Sequence, residues 1–103
     1  MSEKNRLKID NKLREILGNS NVYYQPPTGK QLKYPAIVYT IYRKNIYSAN
    51  NKNYLVQDAY DVTLITTNPI TDIPDKLIAA FSTIEQNRHF VNDNMYHWTF
   101  TIY

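Results

Sequence analysis

The sequence predicts a single α+β domain over residues 1–103, with a mostly antiparallel sheet and two helices packed on one of its faces, in the order α-β-β-α-β-β. Three observations predict it. Apolar residues recur at helical spacing in two separate stretches, they alternate at spacing two in the stretches around these, and 103 residues is the usual size of one core.

The first helix is expected over Leu7 to Leu17, where Ile9, Leu13, Ile16 and Leu17 form an amphipathic stripe and lysine, arginine and glutamate fill the other side. Gly18 then suits a left-handed C-cap, and Asn19-Ser20-Asn21 continues as a polar turn. From Val22 to Pro35 the chain reads as an irregular connection, because Pro26, Pro27 and Pro35 remove backbone donors and Gly29 adds turn freedom. Tyr23 and Tyr24 are expected to lid the sheet. Ala36 to Arg43 is a strand with Ile37, Tyr39 and Ile41 on one face and Val38, Thr40 and Tyr42 on the other.

Tyr54 to Thr67 alternates in the same way and is long for one strand, so a bend or bulge is expected near Asp58. Between these strands Lys44 to Asn53 forms a projecting tip that holds four asparagines around Ile46 and Tyr47. An exposed apolar pair of this kind tends to be covered, here either by another subunit or by the loop folding back. Thr71 or Asp72 caps a second helix with Pro74 and Asp75 in its first turn. Ile73, Leu77, Ile78, Phe81 and Ile84 carry its apolar face as far as Glu85-Gln86-Asn87. A final hairpin joins Arg88–Val91 to Met95–Tyr103 through Asn92-Asp93-Asn94, with Tyr96, Trp98, Phe100 and Ile102 facing the core. His97, Thr99, Thr101 and Tyr103 are expected to be exposed or at an interface, and the edge of the last strand to be either available for pairing or covered by something else.

Composition narrows the classes of function. Hydrophobic residues at 43% and aromatics at 14% supply enough burial for a folded chain, and ten tyrosines suit sheet faces and wet interfaces. With no cysteine there is no disulfide, thiolate nucleophile or sulfur-ligated metal. Met1 to Lys12 contains no signal-peptide-like apolar run and no later stretch is long enough to span a bilayer, so neither export nor membrane insertion is expected. A net charge of +3, spread along the chain, does not mark a nucleic-acid surface.

No catalytic constellation emerges from the residues, and an enzyme is not expected. His89 and His97 lie on opposite arms of the last hairpin, can sit across from each other, and lack a third ligand. Asp58 and Asp61 are three apart on a strand and point to opposite faces. No serine stands in a nucleophile elbow, and Gly18 and Gly29 are too isolated to cradle a phosphate.

Several phrases of the sequence resemble a known family. Tyr23-Tyr24-Gln25-Pro26-Pro27 followed by Tyr34-Pro35-Ala36-Ile37-Val38-Tyr39, the strand ending Leu64-Ile65-Thr66-Thr67-Asn68-Pro69, and Arg88-His89-Phe90 with Asp93-Asn94-Met95-Tyr96-His97 are similar to the tail terminator or tail completion proteins of long-tailed bacteriophages. The likeness runs from about Val22 to Tyr103 and rests on structural phrases, which neighbouring head-tail joining proteins of the neck share. It implies a virion structural subunit, assembled in the host cytoplasm, that forms a ring, hexameric in this family, at the head-tail junction. Such a ring caps the tail tube protein and docks the head-tail connector protein, needs no cofactor, and lets DNA through its lumen without specific binding. Sheets line the channel in such rings and helices face outwards. Candidate contacts to subunits or neck proteins are Ile46 and Tyr47 on the tip, Tyr54 where the second strand opens, and Tyr103 on the outer face of the last strand. A less favoured alternative is a small nucleic-acid-binding accessory protein, with tyrosines interleaved among Lys33, Arg43, Lys44 and Lys52.

Overall fold

The computed structural model describes residues 3–27, 29–47 and 54–103, and among them the side chains of residues 6–27, 29–42 and 58–103. Helix α1 spans Glu3–Leu17 and ends at Gly18, whose φ of +82° is the left-handed value that glycine accepts without strain. The Gly18 N–H donates to the Arg14 carbonyl at 2.9 Å and closes the last turn.

Five strands follow: β1 Val22–Tyr24, β2 Ala36–Tyr47, β3 Tyr54–Thr66, β4 Ile84–Asn92 and β5 Met95–Ile102, with helix α2, Ile73–Ala80, between β3 and β4. They form one sheet in the order β1-β2-β3-β5-β4. The sheet is mixed, because β1 runs parallel to β2 while the other neighbours are antiparallel.

Four expectations change here. Lys44–Tyr47, expected in the projecting tip, are the last residues of β2, because they pair with Tyr54–Gln57 of β3. Val22–Tyr24 is a strand and not part of an irregular connection, which makes the order α-β-β-β-α-β-β and the sheet no longer purely antiparallel. The second helix stops at Ala80; Phe81 is extended at φ −120° and ψ 134°, and Ile84–Asn87 belong to β4. No bulge occurs near Asp58, since β2 and β3 stay in register from Ala36↔Ile65 to Tyr47↔Tyr54; the irregularity lies between Gln86 and Arg88 of β4.

The α+β character stands, and both helices contribute to a single core. Leu13 and Leu17 of α1 and Leu77 of α2 pack with Ile37, Tyr39, Val62, Leu64, Trp98 and Phe100, which share one face of the sheet. Register explains the shared face. Ile37, Leu64 and Trp98 form one row across three strands, and Tyr39, Val62 and Phe100 form the next. Thr71 Oγ1 accepts from the Ile73 N–H at 3.2 Å at the start of α2, and Pro74 in its first turn is buried.

Candidate assembly surface

A polar network absent from the sequence reading fixes α1 to the sheet. Asp10 is only 8% exposed, and its Oδ2 accepts from the Tyr39 hydroxyl at 2.5 Å while its Oδ1 accepts from Arg14 Nε at 2.6 Å. Burial alone would raise the Asp10 pKa, but the bonds from Tyr39 and Arg14 and the charges of Arg14 and Arg6 outweigh it and hold the carboxyl below its ordinary value. Tyr39 is pushed above the usual phenol range, by burial first and then by the hydrogen bond to Asp10. Arg6 donates to the Tyr39 oxygen at 3.3 Å and lies 4.5 Å over the ring of Tyr24, which packs 5.0 Å from the Tyr39 ring.

Arg14 extends the network to the sheet edge, donating to the Ser20 carbonyl at 3.0 Å and the Val22 carbonyl at 3.3 Å. Ile37 donates to Asn21 and Gln25 donates to Tyr39, both at 2.9 Å, so alternate backbone groups of β1 face β2 and those of Val22 and Tyr24 face outwards. The outward carbonyl of Val22 is therefore capped by Arg14. This edge is three residues long and partly closed.

The opposite edge is different. β4 is nine residues long and exposed along most of its length, with Val91 at 59%. The Arg88 N–H points at β5, where it donates to Thr99 Oγ1 at 3.0 Å, and Phe90 and Asn92 follow the same parity. The backbone groups of His89 and Val91 consequently point away from the sheet, where no strand meets them among the described residues. Of the two outcomes expected for the last strand, the second is found: β5 lies between β3 and β4, and β4 covers its outer edge.

A third surface is the β2–β3 ribbon. β1 covers β2 only at Ile37–Tyr39, and β5 covers β3 only from Tyr60 to Thr66. Beyond these pairings β2 and β3 continue to Tyr47↔Tyr54 with no further strand paired to them among the described residues. Strands of 12 and 13 residues span about 40 Å at roughly 3.3 Å per residue and account for most of the 46 Å long axis. The parity that points Ile37 and Tyr39 at β1 also turns the backbone groups of Arg43, Asn45 and Tyr47 outwards on one side, and through the register those of Tyr54 and Val56 on the other.

The ribbon gathers three of the four candidate contacts. Tyr47 pairs with Tyr54, and Ile46 with Leu55, at its far end. Tyr103 is not with them: it follows Ile102, the partner of Tyr60 near the ribbon's base, about 20 Å away at strand spacing. Its hydroxyl donates to Glu85 at 2.9 Å. The tip at residues 48–53, and the side chains of Ile46, Tyr47 and Tyr54, lie outside what the structure describes.

The sheet face away from the helices carries Thr40, Asp61, Thr63 and Thr99, with Thr40 beside Asp61 and Thr63 beside Thr99 in register. Phe90 and His97 stack there at 4.9 Å, with Arg88 over the Phe90 ring at 4.9 Å. His89 sits on the other face, 4.4 Å from Trp98, so the two histidines do not face each other. The bulge at Gln86/Arg88 sets these faces, and no alternation in the sequence shows it.

Among the described residues no three His, Asp or Glu side chains gather as metal ligands, and no helix is long and apolar enough to cross a membrane. An open groove of about 510 Å³ is lined by Lys8 and Lys12 of α1 together with Asp58, Tyr60, Ser82, Thr83 and Ile102. Lys12 lies 4.8 Å over the Phe81 ring. Comparison of the chain with family models, with curated proteins and with solved structures found no match.

Proposed function

We propose that this chain is a non-enzymatic virion subunit, a tail terminator or tail completion protein that forms a ring at the head-tail junction of a long-tailed bacteriophage. The observation that carries the proposal is the β2–β3 ribbon, which outruns the rest of the sheet and bears Ile46, Tyr47 and Tyr54 at its far end. An isolated two-stranded ribbon is marginally stable in water at best. A neighbouring subunit or neck protein that covers it supplies the missing packing, and a chain with different surfaces at its two ends makes the heterologous contact from which rings close.

The helix-free face supports the same reading. Thr40, Thr63 and Thr99 stand there with Val38, Ile65 and Phe90, Asp61 and Glu85 offset Arg88, and no basic stripe is present among the described residues, so DNA passes with few phosphates neutralised. Tail tube and connector proteins are the expected partners, and the same surfaces serve another neck position equally.

Ile46→Asp and Tyr47→Asp test the reading. Both variants are expected to keep the monomer's far-ultraviolet circular dichroism and melting midpoint while phage tails made with them stay uncapped and join no heads in electron micrographs. Normal yields of joined particles from both variants contradict it.

A further inference from the structure

The two unpaired backbone surfaces of this chain match each other. β4 presents the regular five-residue segment Arg88–Asn92 beyond its bulge, with the backbone groups of His89 and Val91 turned outwards. The ribbon presents outward backbone groups at Arg43, Asn45 and Tyr47 on one side, over a segment of the same length, and at Tyr54 and Val56 on the other. The remaining sheet edge competes poorly, because β1 has three residues and Arg14 occupies the Val22 carbonyl.

We infer that the ribbon of one copy adds as a strand to the β4 edge of the next, so that the sheet continues from subunit to subunit. This deepens the ring reading and rests on it. Main-chain hydrogen bonds supply the affinity in such strand addition, and they require only extended backbone of matching length on both sides. The occupant of the β4 edge is a second copy, since the chain itself carries a ribbon that no third strand meets among the described residues and that stands well away from its own β4. The sheet order separates the two by β5. Donor and acceptor are different parts of the molecule, so the contact is heterologous and propagates in one direction until rotation closes it. The bulge between Gln86 and Arg88 bounds the acceptor and limits the added strand to the segment past it.

The experiment uses the full chain alone over a range of concentrations and on purified tail tubes, read by sedimentation velocity and electron microscopy. Val91→Pro deletes an outward N–H without touching a β4–β5 hydrogen bond, a change tolerated at edges; Val91→Ala keeps the N–H. The proline variant is expected to associate at least tenfold more weakly than wild type while Val91→Ala assembles normally. Amide exchange in the wild-type ring gives a readout that needs no variant, with His89 and Val91 slowed at least tenfold on assembly. Rings that form as well from Val91→Pro as from wild type, or amides at 89 and 91 that exchange alike in monomer and ring, overturn strand addition and leave the ring standing. Wild-type chain that forms no closed oligomer, alone or on tail tubes, overturns both.

Discussion

The sheet has two edges, and the chain treats them differently. At β1 an arginine from α1 caps the outward carbonyl of Val22, and the same arginine is held by Asp10, itself held by Tyr39. At β4 the strand is three times as long, and no strand or helix covers the outward groups of His89 and Val91 among the described residues. Edge strands invite pairing, so a chain that closes one edge and leaves the other open specifies where a partner strand adds. On the proposed function, the closed edge serves the core's stability and the open one assembly. Substitutions at the two should therefore separate in what they damage.

The largest effect is expected in the core beneath the open edge. Trp98 is buried and Phe81 only half-buried at the end of α2, so Trp98→Ala should cost about 3–5 kcal/mol and Phe81→Ala clearly less, measured by chemical denaturation. Equal losses would mean that Phe81 carries more of the core than its exposure indicates. At the closed edge, Asp10→Ala strands the Tyr39 hydroxyl and releases Arg14; a loss of about 3 kcal/mol is expected, and a loss below about 1 kcal/mol would separate the cap from stability.

The same network sets a pH dependence with a definite sign. Asp10 has a lower pKa folded than unfolded, so its contribution is complete above the unfolded carboxylate value of about 3.9 and is lost as pH falls through the folded value. Tyr39 has a higher pKa folded than unfolded, so its contribution is complete below about 10 and is lost as pH rises towards the folded value. Stability should fall at both extremes, and Tyr39→Phe should remove the alkaline arm. An unchanged alkaline arm in that variant assigns it to other groups.

The smallest effect is expected at the turn between β4 and β5. Asp93 and Asn94 have φ of +54° and +61°, the left-handed pair of a tight hairpin turn, where glycine is favoured at the second position. Asn94→Gly should be neutral or stabilise by up to about 1 kcal/mol and leave assembly unchanged. A clear loss of stability would show that the Asn94 side chain contributes more than its backbone.

How much of this was legible in the sequence follows from the range of the signals. The stripe of α1, Gly18, the alternation of β2 and β3 and the turn before Met95 are local patterns that place these elements, although β2 runs on to Tyr47 and Asn92 belongs to β4. β1 was missed because three residues between a polar turn and a proline pair give no alternation to count. α2 was drawn too long because Ile84 satisfies helical spacing from Leu77 and Phe81 as well as the inward position of a strand opposite Ile102. β4 has exposed residues on both faces, so no apolar period announces it. Of the candidate contact residues, Ile46, Tyr47 and Tyr54 fall together at the far end of the ribbon and Tyr103 does not. The Asp10–Tyr39 bond and the Arg14 cap join residues distant in sequence, and propensity carries no such information.

The central claim is that this molecule works by shape-matched contact with copies of itself and with neck proteins. Electron microscopy of the purified chain added to phage tail tubes tests it most directly. A closed ring of copies on the head-proximal end of each tube, with the ribbon of every copy against its neighbour, is the expected image. Bare tube ends at saturating protein would contradict the account.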